Sequence, residues 1–301
     1  MEYSEVIKFM KDHKELIQNN EFNKLFEAFP EPHAGRDLLD LMWGKGDIIG
    51  NLKEEVPGYF ANGSKKITSI ILPTQGDFEI IGPFAFSDSS ITSIIIPGNI
   101  RIIGQGAFSL CEKLKDVIIN PGVETIEGMA FSGCDNLKIN FTGTIEEWNN
   151  IATETEDLPF NRPYKLIGKF DTENLVIPDT IRRIKSYKFS EVANIKQLAT
   201  YCRTIGEGAF NSCPNLEGAV IHSRNIGDYA FEGCENLKQI TLGLGVSLIK
   251  DFAFYQCSSL HTIVYEGNIE EFYNMHIDET AFQGCPKIKV ECEDGVLLIN
   301  E

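Results

Sequence analysis

Cysteine is the residue type whose spacing in this chain could do chemistry, because a thiolate can bind metals, form disulfides or act as a nucleophile. Six of the eight cysteines stand three residues after a phenylalanine: Cys111, Cys134, Cys213, Cys234, Cys257 and Cys285. A disulfide framework or a zinc site would need C-x-x-C pairs or an irregular even pattern, and neither occurs. One fixed place per repeating unit instead predicts a row of buried, reduced thiols, since free cysteine is among the most buried residue types.

Three arginines recur at one place in consecutive repeats, two residues before an isoleucine, and a fourth lies beside the first. The row consists of Arg182, Arg183, Arg203 and Arg224. Positive charges stacked about 5 Å apart repel one another unless an anion or a carboxylate lies between them. Guanidinium groups bind carboxylate and phosphate through paired hydrogen bonds, so the row is a candidate anion site. The alternative is that acidic neighbours such as Glu207 and Asp228, together with water, neutralise the row.

Residue types typical of catalysis show no matching arrangement in the sequence. The five histidines are His13, His33, His222, His261 and His276. They are scattered, and none has the spacing of a metal-binding pair. Neither a G-x-x-x-x-G-K-[ST] phosphate loop nor a G-x-S-x-G nucleophile motif occurs. The paired carboxylates at 146–147 and 270–271 suit the first turn of a helix, where the helix dipole favours negative charge. The sequence therefore predicts no enzyme, no metal site and no cofactor.

The positions of all these residues depend on a repeat that occupies most of the chain. In Ile91–Cys134 the template L-x-x-I-x-I-P-x-x-V-x-x-I-G-x-x-A-F-x-x-C occurs twice, with Phe108 and Phe131 twenty-three residues apart. Each copy predicts a short strand, a turn, a second apolar pair and a phenylalanine on the axis. Copies end at Phe86, Phe108, Phe131, Phe160, Phe189, Phe210, Phe231, Phe254 and Phe282. A fixed period in this range predicts a solenoid whose stacked copies share one core.

A row of mostly apolar residues is predicted on the outer face of the strands. Side chains alternate along a strand, so the fifth residue of L-x-x-I-x-I points away from the core. This aliphatic row comprises Ile71, Ile95, Ile118, Ala199, Val220, Thr241 and Val264. An exposed apolar row of this length could bind an apolar partner. Strand propensity, or self-association of the chain into a homodimer, explains the same pattern.

Two segments depart from the template in the same way. Residues 141–151 align with residues 265–275, and each segment contains the N-cap and N3 spacing of a capping box. The two capping-box pairs are Thr144 with Glu147 and Asn268 with Glu271. Both segments are therefore predicted to be short inserted helices. Between them, Lys165–Glu173 is predicted to form a small hairpin.

The predicted domain boundaries follow the repeat. Residues 1–50 lack it and show apolar residues at spacings of three and four, which predicts a helical N-terminal cap over the end of the stack. Residues 51–292 are the predicted solenoid, in two tandem blocks of about 51–166 and 167–292, each closed by a helix-bearing copy. Residues 293–301 are left as a C-terminal tail.

Composition and charge exclude several kinds of partner. The net charge is −17 at pH 7 and the pI is about 4.8, so nucleic acid and anionic membrane surfaces are repelled. No apolar run of about 18 residues occurs, so membrane insertion is not expected. The start of the chain, Met1–Lys8, is charged and lacks the apolar core of a secretory signal, which favours a cytoplasmic location.

The motif I-x-I-P-x-x-I-x-x-I-G-x-x-A-F-x-x-C resembles the BspA-like class of leucine-rich repeats, and F-x-G-T-I-E-E-W-x-x-I is similar to a segment often inserted in them. The resemblance covers about residues 52–292. It implies an α/β repeat solenoid, a right-handed leucine-rich-repeat stack with a parallel β-sheet on one face, in addition to the helical cap. Members are often bacterial or protist surface proteins that bind host matrix proteins or other cells, and their repeat carries no shared catalytic residues.

Two functions are compatible with these features. The first is a noncatalytic interaction scaffold that binds a protein or peptide of unknown identity on the sheet face. The alternative, implied by the resemblance, is a cell-surface adhesin that binds host matrix protein or glycoprotein. The absence of a signal peptide and of a wall-attachment region in this sequence favours the scaffold. A cell-surface location would require a longer gene product or nonclassical export.

Overall fold

The structure is a computed structural model that describes residues 55–56, 61–65, 67–72, 74, 79–153 and 158–300. The predicted helical cap over residues 1–50 lies outside the described residues. The chain divides into two compact units. The first takes its described residues from Met1–Thr142 and Ile151–Arg162, and the second from Gly143–Asn150 and Pro163–Glu301.

The first unit consists of short strands joined by turns. Its strands are β1 (Glu55–Val56), β2 (Ser69–Ile71), β3 (Ile80–Ile81), β4 (Ser93–Ile96), β5 (Ile102–Ile103), β6 (Asp116–Ile119), β7 (Thr125–Ile126), β8 (Lys138–Phe141) and β9 (Ala152–Thr153). The longer strands pair in parallel in the order β2–β4–β6–β8, and the two-residue strands pair in parallel in the order β1–β3–β5–β7–β9.

The second unit repeats this plan and adds two helices. Its elements are α1 (Ile145–Asn150), β10 (Lys165–Ile167), β11 (Asn174–Ile177), β12 (Arg183–Ile184), β13 (Gln197–Thr200), β14 (Thr204–Ile205), β15 (Gly218–Ile221), β16 (Asn225–Ile226), β17 (Gln239–Leu242), β18 (Leu248–Ile249), β19 (Thr262–Tyr265), α2 (Ile269–Tyr273), β20 (His276–Ile277), β21 (Ile288–Cys292) and β22 (Gly295–Ile299). Strands β11–β13–β15–β17–β19–β21 form one parallel sheet, and β12–β14–β16–β18–β20 form the other.

Equivalent positions of successive repeats lie side by side in these sheets. Leu198 pairs with Ala219, and Ala219 pairs with Ile240, without a shift of register. These inward residues are buried, whereas the residues between them face outward, as the alternation of side chains along a strand requires. Each unit is therefore a solenoid of stacked coils, and the predicted fold class is confirmed.

A column of phenylalanine rings fills the axis of each unit. In the first unit the rings of Phe86, Phe108, Phe131 and Phe160 stack with centroids 5.3 to 5.4 Å apart. In the second unit, Phe189, Phe210, Phe231, Phe254 and Phe282 stack at 5.0 to 5.3 Å. These separations fall within the range of favourable aromatic pairs. Since each ring contacts the ring of the next coil, the aromatic column makes every coil depend on its neighbours, as predicted.

Main-chain hydrogen bonds hold the same coils together beside the rings. The N–H of Phe210 donates to the carbonyl of Ala230 at 2.8 Å, and the N–H of Phe231 donates to the carbonyl of Ala253 at 2.7 Å. The glycine of the I-G motif is needed at this close approach. A Cβ on Gly206 would lie 2.5 Å from the carbonyl oxygen of Ile184 in the neighbouring coil, closer than real Cβ atoms come. The repeat glycine is therefore required by coil spacing.

The predicted row of thiols is confirmed, and its hydrogen bonds are resolved. All eight cysteines are free, and of the six in the row only Cys285 is half-buried rather than buried. Each thiol of the row donates to the carbonyl of the phenylalanine one coil earlier, as with Cys134 to Phe108 and Cys234 to Phe210, both at 3.1 Å. The remaining donors are Cys111, Cys213, Cys257 and Cys285. The repeat cysteine thus satisfies a buried carbonyl.

Alkylation rates should separate these thiols, because the thiolate is the reactive form. Burial raises the pKa of Cys134 to about 12, whereas a hydrogen bond from Cys257 lowers the pKa of the half-buried Cys285. At pH 8 we expect iodoacetamide to modify Cys285 at least roughly a hundredfold faster than Cys134 in the folded protein. Peptide mapping by mass spectrometry measures both rates. In guanidinium both thiols should react at similar rates. Similar rates in the folded protein would contradict this arrangement.

Both inserted helices and their capping boxes are confirmed. The N–H of Glu147 donates to Oγ1 of Thr144 at 3.2 Å, and the N–H of Thr144 donates to Oε2 of Glu147 at 2.7 Å. In α2 the N–H of Glu271 donates to Oδ1 of Asn268 at 2.9 Å, and the reciprocal bond is 3.0 Å. These reciprocal bonds satisfy N–H groups that a helix N-terminus leaves without an intrahelical acceptor.

Helix α1 belongs to the second unit and covers the first strand of its shorter sheet. The side-chain amide of Asn149 donates to the carbonyl of Arg183 at 3.0 Å and accepts from the N–H of Lys185 at 3.1 Å. Since these are the main-chain groups that another strand would bind, Asn149 takes the place of a strand beside β12. The hydroxyl of Thr180 also donates to Glu146 of α1, at 3.2 Å.

Two segments differ from expectation in their local structure. Lys165–Glu173 holds the single strand β10 followed by a turn, instead of the predicted hairpin, because Oδ1 of Asp171 accepts from the N–H groups of Glu173 and Asn174 and directs the chain straight into β11. Residues 293–301, predicted to be a tail, contain β22, which pairs antiparallel with β21.

Candidate functional site

The aliphatic row of the first unit is present on the outer face of its longer strands. Ile71 pairs with Ile95, and Ile95 pairs with Ile118, by backbone register. The side chain of Ile95 is 54% exposed, and that of Ile118 is half-buried. Asn140, in β8, continues the row. The first unit therefore presents an apolar strip that ends at a polar residue.

The second unit carries a longer row of the same kind. Val176, Ala199, Val220, Thr241, Val264 and Glu291 follow one another in register. Val176, which is 52% exposed, starts this row and was missed by the sequence prediction. The sequence did indicate this position, since Leu175-Val-Ile-Pro178 fits the repeat template and places Val176 on the outer face. All later members are half-buried, because neighbours in the row cover one another.

A notch interrupts this face at Gly218. The glycine stands between Gln197 and Gln239 in register, and its missing side chain leaves a depression of about 290 Å³ beside Val220 and Thr241. A Cβ at position 218 would lie 2.6 Å from Oε1 of Gln197. The notch is large enough to take a side chain of a partner, and its wall is partly aliphatic.

Three of the four predicted arginines line one groove. Arg182, Arg203 and Arg224 are exposed and occupy the same position of consecutive coils. The N–H of Thr204 donates to the carbonyl of Arg182 at 3.2 Å, and the next coil repeats this bond from Asn225 to Arg203 at 3.2 Å. Arg183 lies in the adjacent register, paired with Thr204, and does not line the groove.

The acidic residues considered as partners for these arginines bind other groups. Asp228 lies 2.7 Å from Nζ of Lys250, and Glu207 accepts a hydrogen bond from the hydroxyl of Tyr187 at 3.1 Å. Glu207 follows β14 and Asp228 follows β16. Their partners, Tyr187 and Lys250, follow the equivalent strands of neighbouring coils. In the structure Glu207 and Asp228 therefore bind these groups and not the arginine row.

Two ring residues of this groove were missed by the sequence prediction. Tyr201 and His222 directly follow β13 and β15, and their rings stack with centroids 5.2 Å apart and planes 8° apart. Tyr201 is 48% exposed, and both rings line the groove with the arginines. The alternation of side chains along the strand predicts that both rings point outward. The bend between the longer and the shorter strand of each coil, which brings the rings beside the arginines, cannot be predicted from the sequence.

A buried lysine is the strongest departure from the repeat. Lys188 occupies the position that alanine holds in the neighbouring copies, as in Ala209 and Ala230, and is only 3% exposed. Its Nζ lies 4.9 Å from the ring centroid of Trp148 in α1. Burial, with a smaller contribution from the charge of Lys185, holds the pKa of Lys188 well below its usual value. Lys188 has no access for a ligand, so its effect is on stability.

Neither a metal cluster nor a membrane-spanning helix is found among the residues that the structure describes. No three histidine, cysteine or acidic side chains there are grouped to hold a metal ion. The helices of that part of the chain are also too short or too polar to cross a bilayer.

Comparison with known proteins identifies the repeat. The family model described as BspA type Leucine rich repeat region matches residues 53–156 and 164–289, in six copies. No match is found among curated proteins. Among solved structures, a leucine-rich repeat protein from Bacteroides ovatus is similar at 22% identity, over 77% of this chain and 68% of that one, with a TM-score of 0.49.

Two further solved structures show a similar level of likeness. A leucine rich cell surface protein from Faecalibacterium prausnitzii is 17% identical over 75% of this chain and 82% of its own, with a TM-score of 0.40. The pneumococcal vaccine antigen PcpA is 20% identical over 76% of this chain and 70% of its own, with a TM-score of 0.42. These likenesses concern the fold alone.

Proposed function

The chain belongs to the BspA-type leucine-rich repeat family, and from this premise we propose that it is a noncatalytic scaffold that binds a protein or peptide on the outer face of its longer strands. The observation that carries the proposal is the aliphatic row. In each unit the row lies in register on the face opposite to the core, where a strand exposed to water normally carries polar residues. Apolar area in contact with water favours association.

The surroundings of the row support the same proposal. Ion pairs between adjacent coils flank it, with Lys196 2.9 Å from Glu173 and Lys238 3.2 Å from Glu217. An apolar centre with a polar, hydrated rim is the usual composition of a protein interface. The notch at Gly218 adds a depression in which one side chain of the partner can be buried.

A peptide selected from a displayed library on the purified chain provides the test. Val220→Asp in the second unit and Ile95→Asp in the first should each be tried, because the partner can lie on either row. We expect one of the two to weaken binding by about thirtyfold, the effect of losing a central apolar contact of about 2 kcal/mol. Fluorescence anisotropy of the labelled peptide measures the affinity.

The matched control is Leu110→Asp, which changes an exposed leucine outside the row, 57% exposed, in the same manner. If this control weakens binding as much as either row variant, or if neither row variant does, the proposal is wrong. A dimer seen by light scattering that Ile95→Asp or Val220→Asp dissociates would assign the row to self-association instead. Binding of a host matrix protein that survives both substitutions would favour the adhesin alternative.

A further inference from the structure

One position of the repeat carries charge in both units, and in the first unit that charge is paired. Glu79, Arg101 and Glu124 occupy this position in consecutive coils. The guanidinium of Arg101 lies 3.6 Å from Glu79 and 2.8 Å from Glu124. Its Nε also donates to Glu124 at 3.0 Å. In the first unit the positive charge at this position is therefore paired with a carboxylate on both sides.

The same position in the second unit holds three arginines in succession. Arg182, Arg203 and Arg224 are followed there by Ser247, whose N–H donates to the carbonyl of Arg224 at 2.9 Å. In the described part of the chain, none of these arginines forms an ion pair with a carboxylate. Arg224 donates only a long bond of 3.4 Å from Nε to the hydroxyl of Ser247. Three cations thus stand side by side without an acidic partner, in a chain whose net charge is −17.

The groove in front of these arginines is open and shaped by rings. It has a volume of about 720 Å³ and lies beyond the carboxyl ends of β13 and β15. The stacked pair of Tyr201 and His222 forms one wall. Asp179 also lines the groove, and Oε2 of Glu266 lies 3.8 Å from Nδ1 of His222. The three guanidinium groups outnumber the lining carboxylate, so the groove retains positive charge.

Buried polar side chains lie next to the groove, in contact with its lining residue Cys202. The hydroxyl of Ser223 donates to Oγ1 of Thr200 at 3.1 Å, and the thiol of Cys202 lies 3.1 Å from the same serine hydroxyl. All three residues are buried, with Thr200 and Ser223 fully so. Because these buried polar groups satisfy one another, they hold in place the backbone next to Tyr201 and His222, so the groove needs no large rearrangement to accept a ligand.

We propose that this arginine groove, formed by Arg182, Arg203 and Arg224 with the ring pair of Tyr201 and His222, binds an acidic peptide segment through two or more closely spaced carboxylates. Adjacent coils are about 4.8 Å apart, so one carboxylate can bridge two neighbouring guanidinium groups. Guanidinium forks bind carboxylates with paired, charge-assisted hydrogen bonds. The ligand supplies the negative charge that Glu79 and Glu124 supply in the first unit.

A peptide is favoured over other anions by the surroundings. Tyr201 and His222 each stand two residues beyond a member of the aliphatic row, Ala199 or Val220, so an extended segment can lie on the row and enter the groove. In an extended segment, alternate side chains lie on one side about 7 Å apart, within reach of flexible arginines. A long polyanion would instead meet the field of the acidic chain around this short row.

The test uses a fluorescein-labelled peptide of sequence Glu-Gly-Glu-Gly-Glu, with Gln-Gly-Gln-Gly-Gln as the uncharged control. Arg203→Gln removes the central cation and should weaken binding of the acidic peptide at least roughly tenfold, measured by fluorescence anisotropy. Arg101→Gln is the matched control, because it removes the equivalent arginine whose charge is already paired, and it should leave the affinity unchanged. Since Arg203 is exposed, its substitution is not expected to unfold the chain, and Arg224→Gln provides a second variant.

Several outcomes would overturn the inference. These are no saturable binding of the acidic peptide, equal binding of the uncharged peptide, or equal effects of Arg203→Gln and Arg101→Gln. Competition by inorganic phosphate at the concentration of the peptide would assign the groove to a phosphate group rather than to a peptide. That the ligand is a peptide rests on the proposed function. The probe has no apolar side chain, so Val220→Asn, which removes the apolar contact without adding a negative charge beside the groove, should leave its binding intact, and failure of the row is distinguishable from failure of the groove.

Discussion

Replacing Phe210 with alanine is expected to lower the free energy of unfolding by roughly 3 to 5 kcal/mol, the cost of removing a buried aromatic ring from a packed core. Phe210 is fully buried, and its ring stacks on Phe189 and Phe231 with centroids 5.3 Å away on both sides. Two stacking contacts are lost together, and the rings above and below cannot close the space, because coil spacing is fixed by main-chain hydrogen bonds. Urea unfolding followed by circular dichroism measures the change.

The control for this experiment is Tyr273→Ala in the same unit. Tyr273 is 69% exposed, so its loss should change the free energy of unfolding by no more than about 0.5 kcal/mol. Each coil of a solenoid contacts its neighbours alone, so the Phe210 substitution should increase hydrogen exchange most in the coils next to it. A loss below about 1 kcal/mol for Phe210→Ala would show that the aromatic column does not hold the coils together.

Replacing Lys188 with methionine is expected to raise the free energy of unfolding by about 1 to 3 kcal/mol at neutral pH, because burial disfavours the charged form of the ammonium group. Methionine has a similar length and an unbranched, adaptable side chain, so it can fill the same space beside Trp148. Chemical denaturation of both proteins across a pH series measures the difference.

The pH dependence of this difference follows from the sign of the pKa shift. Burial lowers the pKa of Lys188 in the folded protein, so between that lowered value and the ordinary lysine pKa the unfolded chain binds more protons. The stability of the natural protein therefore rises with pH through this window, as the lysine becomes neutral in both states. The advantage of Lys188→Met should be largest at the acidic end of the series and shrink toward the ordinary pKa of lysine, 10.5.

Lys169→Met is the control for charge removal, because Lys169 is exposed in the same unit. It should be close to neutral in stability at every pH of the series. If Lys188→Met shows the same flat profile as this control, the buried ammonium group is not the cause of the pH dependence, and the account of position 188 is wrong.

The aliphatic row and the arginine groove differ in how far sequence could predict them. Val220 and Thr241 were placed side by side correctly, because a fixed repeat length forces equivalent residues into register. Arg182, Arg203 and Arg224 lie side by side for the same reason, whereas Arg183 lies in the adjacent register. Their lack of acidic partners was not predictable, since it depends on Asp228 pairing with Lys250 and on Glu207 accepting from Tyr187. Such pairings are decided by side-chain conformations across coils and leave no periodic signal.

The sequence by itself determined the coil, the aromatic column, the thiol row and both capping boxes. These depend on contacts that recur at every repeat or lie within four residues, so one short pattern specifies them. Tertiary structure alone decided that α1 covers β12 through Asn149, that Lys188 lies buried against Trp148, and that two rings flank an unpaired arginine row. The first two join residues at places where the repeat is broken, and the third depends on which side chains pair across neighbouring coils. Neither kind of contact leaves a periodic signal by which a sequence can reveal it.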